Sequence, residues 1–310
     1  MTVERDEACV ATGALLVDKP LGRTSNSVLQ EAKRLFRARK AGHAGTLDPL
    51  ATGLLVVLFG EATKFASFLL DEDKEYAATV KLGERTSTGD AEGEVLEKKP
   101  APSRLAEVLP DVLARFQGQI EQVPPMYSAL KKDGIPLYER ARRGETVDRR
   151  SRKVWIHELR VEALEEPFIR LRIRCSKGTY IRTLAEDLGA ALGSAAHLSS
   201  LRRTASGRFR VEEAMTLAAL AALPDAARAA RILSLPDLLA GLPRAELDAG
   251  SAARFRNGQA VPCGTRGDIC AVYGADGMVI GLGRSHGDGS LRPLRLTAQS
   301  QAAEKPRKTL

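Results

Sequence analysis

The sequence predicts an α+β protein with a small β-rich domain near its C-terminus, and three observations predict it. Apolar–polar alternation, the two-residue period of a half-buried strand, runs through Tyr76, Ala78, Val80 and Leu82 and again through Ile169, Leu171 and Ile173. Apolar residues at helical spacing mark Val28, Leu29, Ala32, Leu35 and Phe36, and later Leu105, Val108, Leu109, Val112, Leu113 and Phe116. Beyond Leu217 the composition turns to Ala, Leu and Pro, then to two strand-like runs around Gly274-Ala275-Asp276-Gly277.

Taken in order, Gly13 to Val17 is a short strand closed by Asp18-Lys19-Pro20-Leu21-Gly22. Thr24, Ser25 and Ser27 offer caps to the helix that follows, and Ser27 with Gln30 has capping-box spacing. That helix ends in Arg34, Arg37, Arg39 and Lys40, which suits the negative end of a helix dipole and a phosphate contact equally. Leu54 to Phe59 is an apolar run long enough for one buried strand. Glu61 to Leu70 reads as helix. The alternating strand of Lys74 to Leu82 carries Glu75, Thr79 and Lys81 on its polar face, and Glu84 to Glu94 reads as loop. Ser176-Lys177-Gly178-Thr179 turns the chain into a helix from Ile181, with Thr179 as its cap. Leu217 to Leu242 reads as a helical connector and Ala245 to Gly258 as a short helix closed by glycine. Ile269 to Tyr273 and Met278 to Leu282 form a hairpin, and Leu291 to Leu296 adds a strand. No long internal repeat is visible.

Composition excludes several classes. The chain has 310 residues, 44% of them hydrophobic, enough for a sizeable core. Its net charge of +8 favours a polyanionic partner. No apolar run approaches the ~18 residues of a membrane span. Glu4, Asp6 and Glu7 interrupt the first residues, so secretion is not expected. Cys9, Cys175, Cys263 and Cys270 form no C-x-x-C pair and lie far from the four histidines. That argues against a disulfide framework or zinc site and for reduced thiols in a cytoplasm.

The stretch Gly42 to Leu55 organises the rest. Gly42, Gly45 and Gly53 permit backbone angles that other residues resist, and Pro49 pushes Asp48 out of the helical region. A short carboxylate is thus held at a stiff point where a core strand begins, a favourable place for chemistry. Taken alone, a loop Asp is more often a turn cap. Tyr76, at the start of an inward strand face, is either a core ring or one that stacks on a base. From Gln119 to Arg152 the chain is stiff at Val123-Pro124-Pro125-Met126-Tyr127 and then crowded with Lys and Arg. Such density with little apolar periodicity suits an arm that grips nucleic acid; a solvated loop is the bland reading. Arg170, Arg172 and Arg174 give one strand a basic outer face. Tyr180 and Arg182 fall in the first turn of a helix, where a cation opposes the dipole unless an acid offsets it; Asp48 is a candidate for that acid.

Together these residues resemble the TruB-type tRNA pseudouridine synthases of bacteria, the enzymes of pseudouridine-55. HAGTLDPLATGLL (His43–Leu55) resembles the family signature, and DKPLGRTS (Asp18–Ser25) its lysine–proline motif. KEYAATVKLGERTSTGDAEGEV (Lys74–Val95) resembles its tyrosine strand and loop, and PPMYSALKKDGIPLYERARRGE (Pro124–Glu145) its RNA-gripping flap. SKGTYIRTLAEDLG (Ser176–Gly189) and LRRTASGRF (Leu201–Phe209) resemble its later motifs. Ser206 and Arg208 stand where the family pattern has an apolar residue and a proline. The C-terminal segment resembles the PUA-like RNA-binding domain more weakly.

The resemblance implies a pseudouridine synthase fold, with a central mixed, mainly antiparallel sheet flanked by helices and loops. It implies an N-terminal extension over 1–12, a catalytic domain over 13–240 with the flap at about 124–152, a PUA-like domain over 245–297 and a disordered tail over 298–310. Asp48 takes the catalytic role, as nucleophile at C1′ or as base toward the sugar. Arg182 is its ion-pair partner, countering the desolvation that would raise its pKa. Tyr76 stacks on the target base, Tyr180 and Leu201 wall the pocket, and Lys19 and Pro20 support it. His43 packs against the disrupted T loop, and Lys131, Arg142 and Arg143 bind RNA from the flap. The implied substrate is uridine 55 of tRNA, flipped from its stack and rejoined through C5 to C1′. The reaction involves no redox change, so no cofactor and no metal are expected; the implied protein is a cytoplasmic monomer with no membrane partner. A guide-RNA-dependent synthase of the related type and a non-catalytic tRNA-binding or folding protein are the alternatives. The short N-terminus argues against the first, and the conjunction of Asp48, Tyr76 and Arg182 against the second.

Overall fold

A computed structural model describes residues 12–264 and 267–298 of the chain. The extension assigned to 1–12 and the tail assigned to 298–310 lie outside the described residues, except for residues 12 and 298 themselves. The elements run β1 (Gly13–Lys19), α1 (Ser25–Leu35), β2 (Ala41–His43), β3 (Ala51–Phe59), α2 (Ala66–Asp71), β4 (Lys74–Thr86), β5 (Val95–Lys99), α3 (Leu105–Ala114) and β6 (Gly118–Gln122). There follow β7 (Lys131–Lys132), β8 (Ile135–Pro136), α4 (Leu137–Arg142), β9 (Arg152–Glu165), β10 (Phe168–Cys175), α5 (Ile181–Ala191), β11 (Ala196–Ser206) and β12 (Phe209–Arg210). Three short helices, α6 (Leu217–Ala222), α7 (Asp225–Ala229) and α8 (Leu235–Leu239), lead to β13 (Arg244–Glu246), α9 (Ala249–Arg256), β14 (Val261–Pro262), β15 (Ile269–Tyr273), β16 (Val279–Ser285) and β17 (Ser290–Leu296).

The large sheet has the order β1-β3-β11-β4-β10-β9-β6, with β2, β12 and β5 paired to its flanks. Every pairing in it is antiparallel except β3 with β11. It is therefore mixed and mainly antiparallel, as expected. Tyr76, Ala78, Val80 and Leu82 of β4 share a buried face with Ile169, Leu171 and Ile173 of β10, beneath apolar residues of α3 and α5. The unbroken apolar run of β3 is buried on both faces. Leu54, Val56 and Leu58 enter one cluster, and Leu55, Val57 and Phe59 pack with α1 and α6 in another. That double burial is why it lacks alternation.

Several local expectations need correction. Thr24 caps α1 by accepting from the Ser27 amide, and Gln30 donates to Asn26, so the Ser27–Gln30 box does not form. The 61–70 segment begins as a 3-10 turn over Gly60–Phe65 before α2. β4 runs on to Thr86 and pairs with β5, which shortens the expected 84–94 loop. The helix expected from Ala245 starts only at Ala249, because Arg244–Glu246 pairs in parallel with β15. Glu75, expected on the polar face, is nearly inaccessible: Arg172, Thr204 and Arg210 all donate to its carboxylate. The basic outer face is thus partly neutralised, since Arg170 also pairs with Glu165.

The five-stranded C-terminal sheet, β13-β15-β16-β17-β14, has its own core around Phe255 and Ile280. Its other side joins the rest of the chain: Ala271, Tyr273, Val279 and Leu282 share a cluster with Leu54, Val56, Leu238 and Leu239. Ser206 is buried, and Arg208 lies over the Phe209 ring while donating to the Asp237 carbonyl, so the departures from the family pattern are absorbed locally.

One glycine decides how β3 meets β11. Gly53 has φ +98°, and a β-carbon there would stand inside the Arg203 carbonyl oxygen. Gly53→Ala combines a disfavoured backbone angle with a backbone clash. It is expected to cost about 3 kcal/mol or more, lowering Tm by about 5 °C or more in a calorimetric scan. An unchanged Tm would mean that the two strands are less tightly apposed.

Candidate active site

The loop between β2 and β3 is held by hydrogen bonds on both sides of Asp48. Ser25 Oγ accepts from the Leu47 amide at 2.8 Å and donates to its carbonyl at 3.0 Å. The Ala51 amide donates to the Asp48 carbonyl, and the Gly22 amide to that of Pro49. Lys19, wholly inaccessible, places Nζ among the carbonyls of Pro20 (2.9 Å), Arg23 (2.5 Å) and Pro49 (3.4 Å). Burial pulls its pKa down to about 8, against the attraction of Asp48 and Glu92. Lys19 and Pro20 therefore brace the loop from behind and do not line the cleft in front of it.

That cleft, about 520 Å³, is lined by Asp48, Tyr76, Tyr180, Arg182 and Leu201, together with Lys74, Arg152, Arg203 and the flap residues Ser128, Ala129 and Leu130. The volume falls within the ordinary range of small-molecule pockets. Arg182 Nε lies 3.0 Å from Asp48 Oδ2 and 3.7 Å from Asp90 Oδ2. Its Nη1 donates to the Thr88 carbonyl at 2.9 Å and its Nη2 to that of Tyr127 at 2.6 Å. The guanidinium is 5% exposed and its Asp90 partner 4%, whereas Asp48 keeps 39% of its side chain open to the cleft. One buried fork thus holds the β4–β5 loop, the flap root and the Asp48 loop together.

Desolvation is the largest influence on Asp48 and raises its pKa above the ordinary carboxylate value; Arg182 and Lys19 oppose the rise, and Asp90 adds to it. The opening is onto a cleft floor, not a flat surface, so desolvation still dominates despite the exposed fraction. Arg182 can occupy the first turn of a helix because two carboxylates offset the dipole there.

Tyr76 forms part of the cleft floor and stands opposite Arg203 in the β4–β11 pairing. Tyr180 is the N-cap of α5 in extended conformation. Its peptide is bracketed by the buried Gln122 side chain, which accepts from the amide at 3.0 Å and donates to the carbonyl at 3.3 Å. The expected cap, Thr179, instead donates to the Ser176 carbonyl. Arg152 lies over the Tyr180 ring. Leu201 is paired between Ala51 of β3 and Ala78 of β4, which sets it opposite the loop.

Four residues expected to contact RNA lie outside this cleft. His43 ends β2 half-buried, with Nδ1 unpartnered among the described residues and its pKa lowered by burial and by Arg203. Lys131 in β7, Arg142 in α4 and Arg143 at its end are exposed on the flap. Among the described residues, no group of three or more His, Cys, Asp or Glu could hold a metal, and no helix is long and apolar enough to cross a membrane. Sequence reasoning missed Asp90, Gln122 and Arg203. Asp90 lay in a polar run read as loop, and nothing local marks a loop acid that will be buried.

The fold matches solved structures over nearly its whole length. It superposes at TM-score 0.70 with a chain from a "Structure of H/ACA RNP bound to a substrate RNA containing 2'-deoxyuridine", at 25% identity over 93% of this chain and 86% of that one. It does so equally, TM-score 0.70, with a chain of a "Crystal Structure of a Cbf5-Nop10-Gar1 Complex", at 28% identity over 94% and 85%. The fold is that of a pseudouridine synthase. The model of the TruB family pseudouridylate synthase N-terminal domain matches residues 33–181, the tRNA pseudouridylate synthase B C-terminal domain 182–239, and the pseudouridine synthase II TruB C-terminal model 243–297. The chain belongs to the TruB family. It is 50% identical over 302 residues, 97% of both chains, to the tRNA pseudouridine synthase B of Aromatoleum aromaticum. Identity to the protein of the same name from Cupriavidus metallidurans is 52% over 295 residues, 92% of this chain and 93% of that one.

Proposed function

We propose that this protein is a stand-alone tRNA pseudouridine synthase that isomerises uridine 55 of the T loop, with Asp48 as its single catalytic carboxylate. One observation carries the reading: a carboxylate 3.0 Å from a buried guanidinium, in a cleft of nucleoside dimensions that also presents Tyr76. The names of the relatives at about 50% identity support tRNA as the substrate class.

The target base leaves its stack, at a cost of a few kcal/mol, and is taken up between the Tyr76 ring and the walls at Tyr180 and Leu201. Asp48, kept ionised by Arg182, acts at the sugar while the N1–C1′ bond breaks. The base turns, C5 bonds to C1′, and the C5 proton leaves. His43 meets the opened T loop, and Lys131, Arg142 and Arg143 add phosphate contacts from the flap. Residues 13–240 carry the chemistry, and 245–297 form a PUA-like domain that adds RNA contact. The protein works as a monomer in the cytoplasm, with no metal or cofactor and no guide RNA. Identity to the H/ACA-associated chains is about half that to the tRNA pseudouridine synthases B, which favours the stand-alone form.

The test is a T-arm stem-loop transcript labelled with tritium at uridine C5, incubated with purified protein, chelator and no other RNA. One equivalent of released tritium is expected, with the product mapped to position 55. Absence of release would end this reading.

A further inference from the structure

A second buried guanidinium borders the cleft, with no acid among the described residues to balance it. Arg203 is 1% exposed. Its Nε donates to the Leu54 carbonyl at 2.7 Å and its Nη2 to the Gly45 carbonyl at 3.1 Å, and it stands directly opposite Tyr76 in the β11–β4 pairing. Among the described residues no carboxylate pairs with it. Arg182, by contrast, has two. A buried cation without a counter-ion is costly, and Arg cannot relieve the cost by losing its proton. Packing alone would be served as well by an apolar side chain of similar volume.

The placement explains what the cost achieves. On β11, Arg203 is in register with Tyr76 of β4 on one side and Gly53 of β3 on the other. One side chain therefore reaches both the strand bearing the ring and the head of the loop bearing Asp48. Gly45 has φ +104°, and a β-carbon there would lie 3.2 Å from Arg203 Nη1, so the loop is glycine where the guanidinium needs room. Arg203 also has only donors to offer.

We infer that Arg203 is a positioning residue of the reaction proposed above: it holds the Gly45 and Leu54 carbonyls while standing opposite Tyr76 in the sheet, so that ring and catalytic carboxylate keep one fixed spacing, and its unpaired charge stands beside the phenol. Burial pushes the Tyr76 pKa up, and Arg203 is the neighbour that most opposes this. Arg203 acts through Tyr76 and the loop.

A double-mutant cycle tests it, with Arg203→Met, Arg203→Lys and Tyr76→Phe measured singly and in combination on the T-arm transcript. Saturating single-turnover rates are read beside transcript affinity. Arg203→Met is expected to slow the bound-state step about 100-fold with less than about a threefold change in affinity. In the Tyr76→Phe background the same change should cost less than about fivefold, since the phenol it serves is gone. Arg203→Lys should recover part of the rate, and its acid limb should coincide with that of the unmutated protein, because Asp48 is held by Arg182. If Arg203→Met does not fold, Arg203→Lys carries the cycle. Additive losses, or a loss entirely in affinity, would reduce Arg203 to a core cation and overturn the proposal. Lack of pseudouridine formation by the unmutated protein would instead strike the functional reading.

Discussion

Asp48→Asn is expected to lower single-turnover pseudouridine formation by at least about 10⁴-fold while changing T-arm affinity by less than about threefold. The substitution is nearly isosteric, and the amide oxygen can still accept from Arg182 Nε. What is lost is the negative charge, and with it both routes open to the carboxylate, attack at C1′ and proton removal from the sugar. The fold should survive, because Arg182 keeps Asp90 and the carbonyls of Thr88 and Tyr127. The loop should survive too, since its anchors at Leu47, Pro49 and Ala51 are backbone groups that do not involve the Asp48 side chain. Rapid-quench product formation beside filter binding checks both halves. Turnover like that of the unmutated protein would remove Asp48 from the mechanism.

How much of this was legible in the sequence depends on the range of the signal. Strands β4 and β10 showed their two-residue period because one face is buried and the other is polar. The strands β6, β9 and β11 were not foreseen. In β11 the alternation is hidden by buried polar groups, His197, Arg203 and Ser206, among its apolar residues. The loop carrying Asp48 could be recognised because glycine and proline constrain the backbone locally, whatever the rest of the chain does. Its partner Arg182 left a local trace as well, a cation in the wrong part of a helix. Asp90 and Arg203 left none. Each is functional through contacts made across the fold, Asp90 to α5 and Arg203 to a loop 158 residues away. The same holds for the C-terminal sheet. Its hairpin was visible, but its shared core with β3 and α8 is a product of tertiary packing.

Arg182 offers the sharpest separation of electrostatics from architecture, because its removal should move rate and stability in opposite directions with pH. Arg182→Met takes away the strongest influence holding the Asp48 pKa down and leaves desolvation and Asp90, which raise it, opposed by Lys19. The proposed chemistry needs the ionised carboxylate. The acid limb of the bound-state rate should therefore move to higher pH, and the rate at neutral pH should fall about 10³-fold, including the loss of the positioned charge. Stability runs the other way. With a folded pKa above the unfolded value, Asp48 binds more protons folded than unfolded in the interval between the two, so its contribution is present below the unfolded pKa and lost as pH rises through the folded one. The variant should thus be most destabilised at neutral pH and partly recover its Tm on mild acidification, where its rate is lowest. Arg182→Lys restores a charge but cannot reach two carboxylates and two carbonyls at once, so it should return more of the Tm than of the rate. An acid limb that stays in place in Arg182→Met would show that the guanidinium does not govern Asp48. A Tm that falls equally at every pH would show that it acts only as a structural tie between the flap root, the β4–β5 loop and α5.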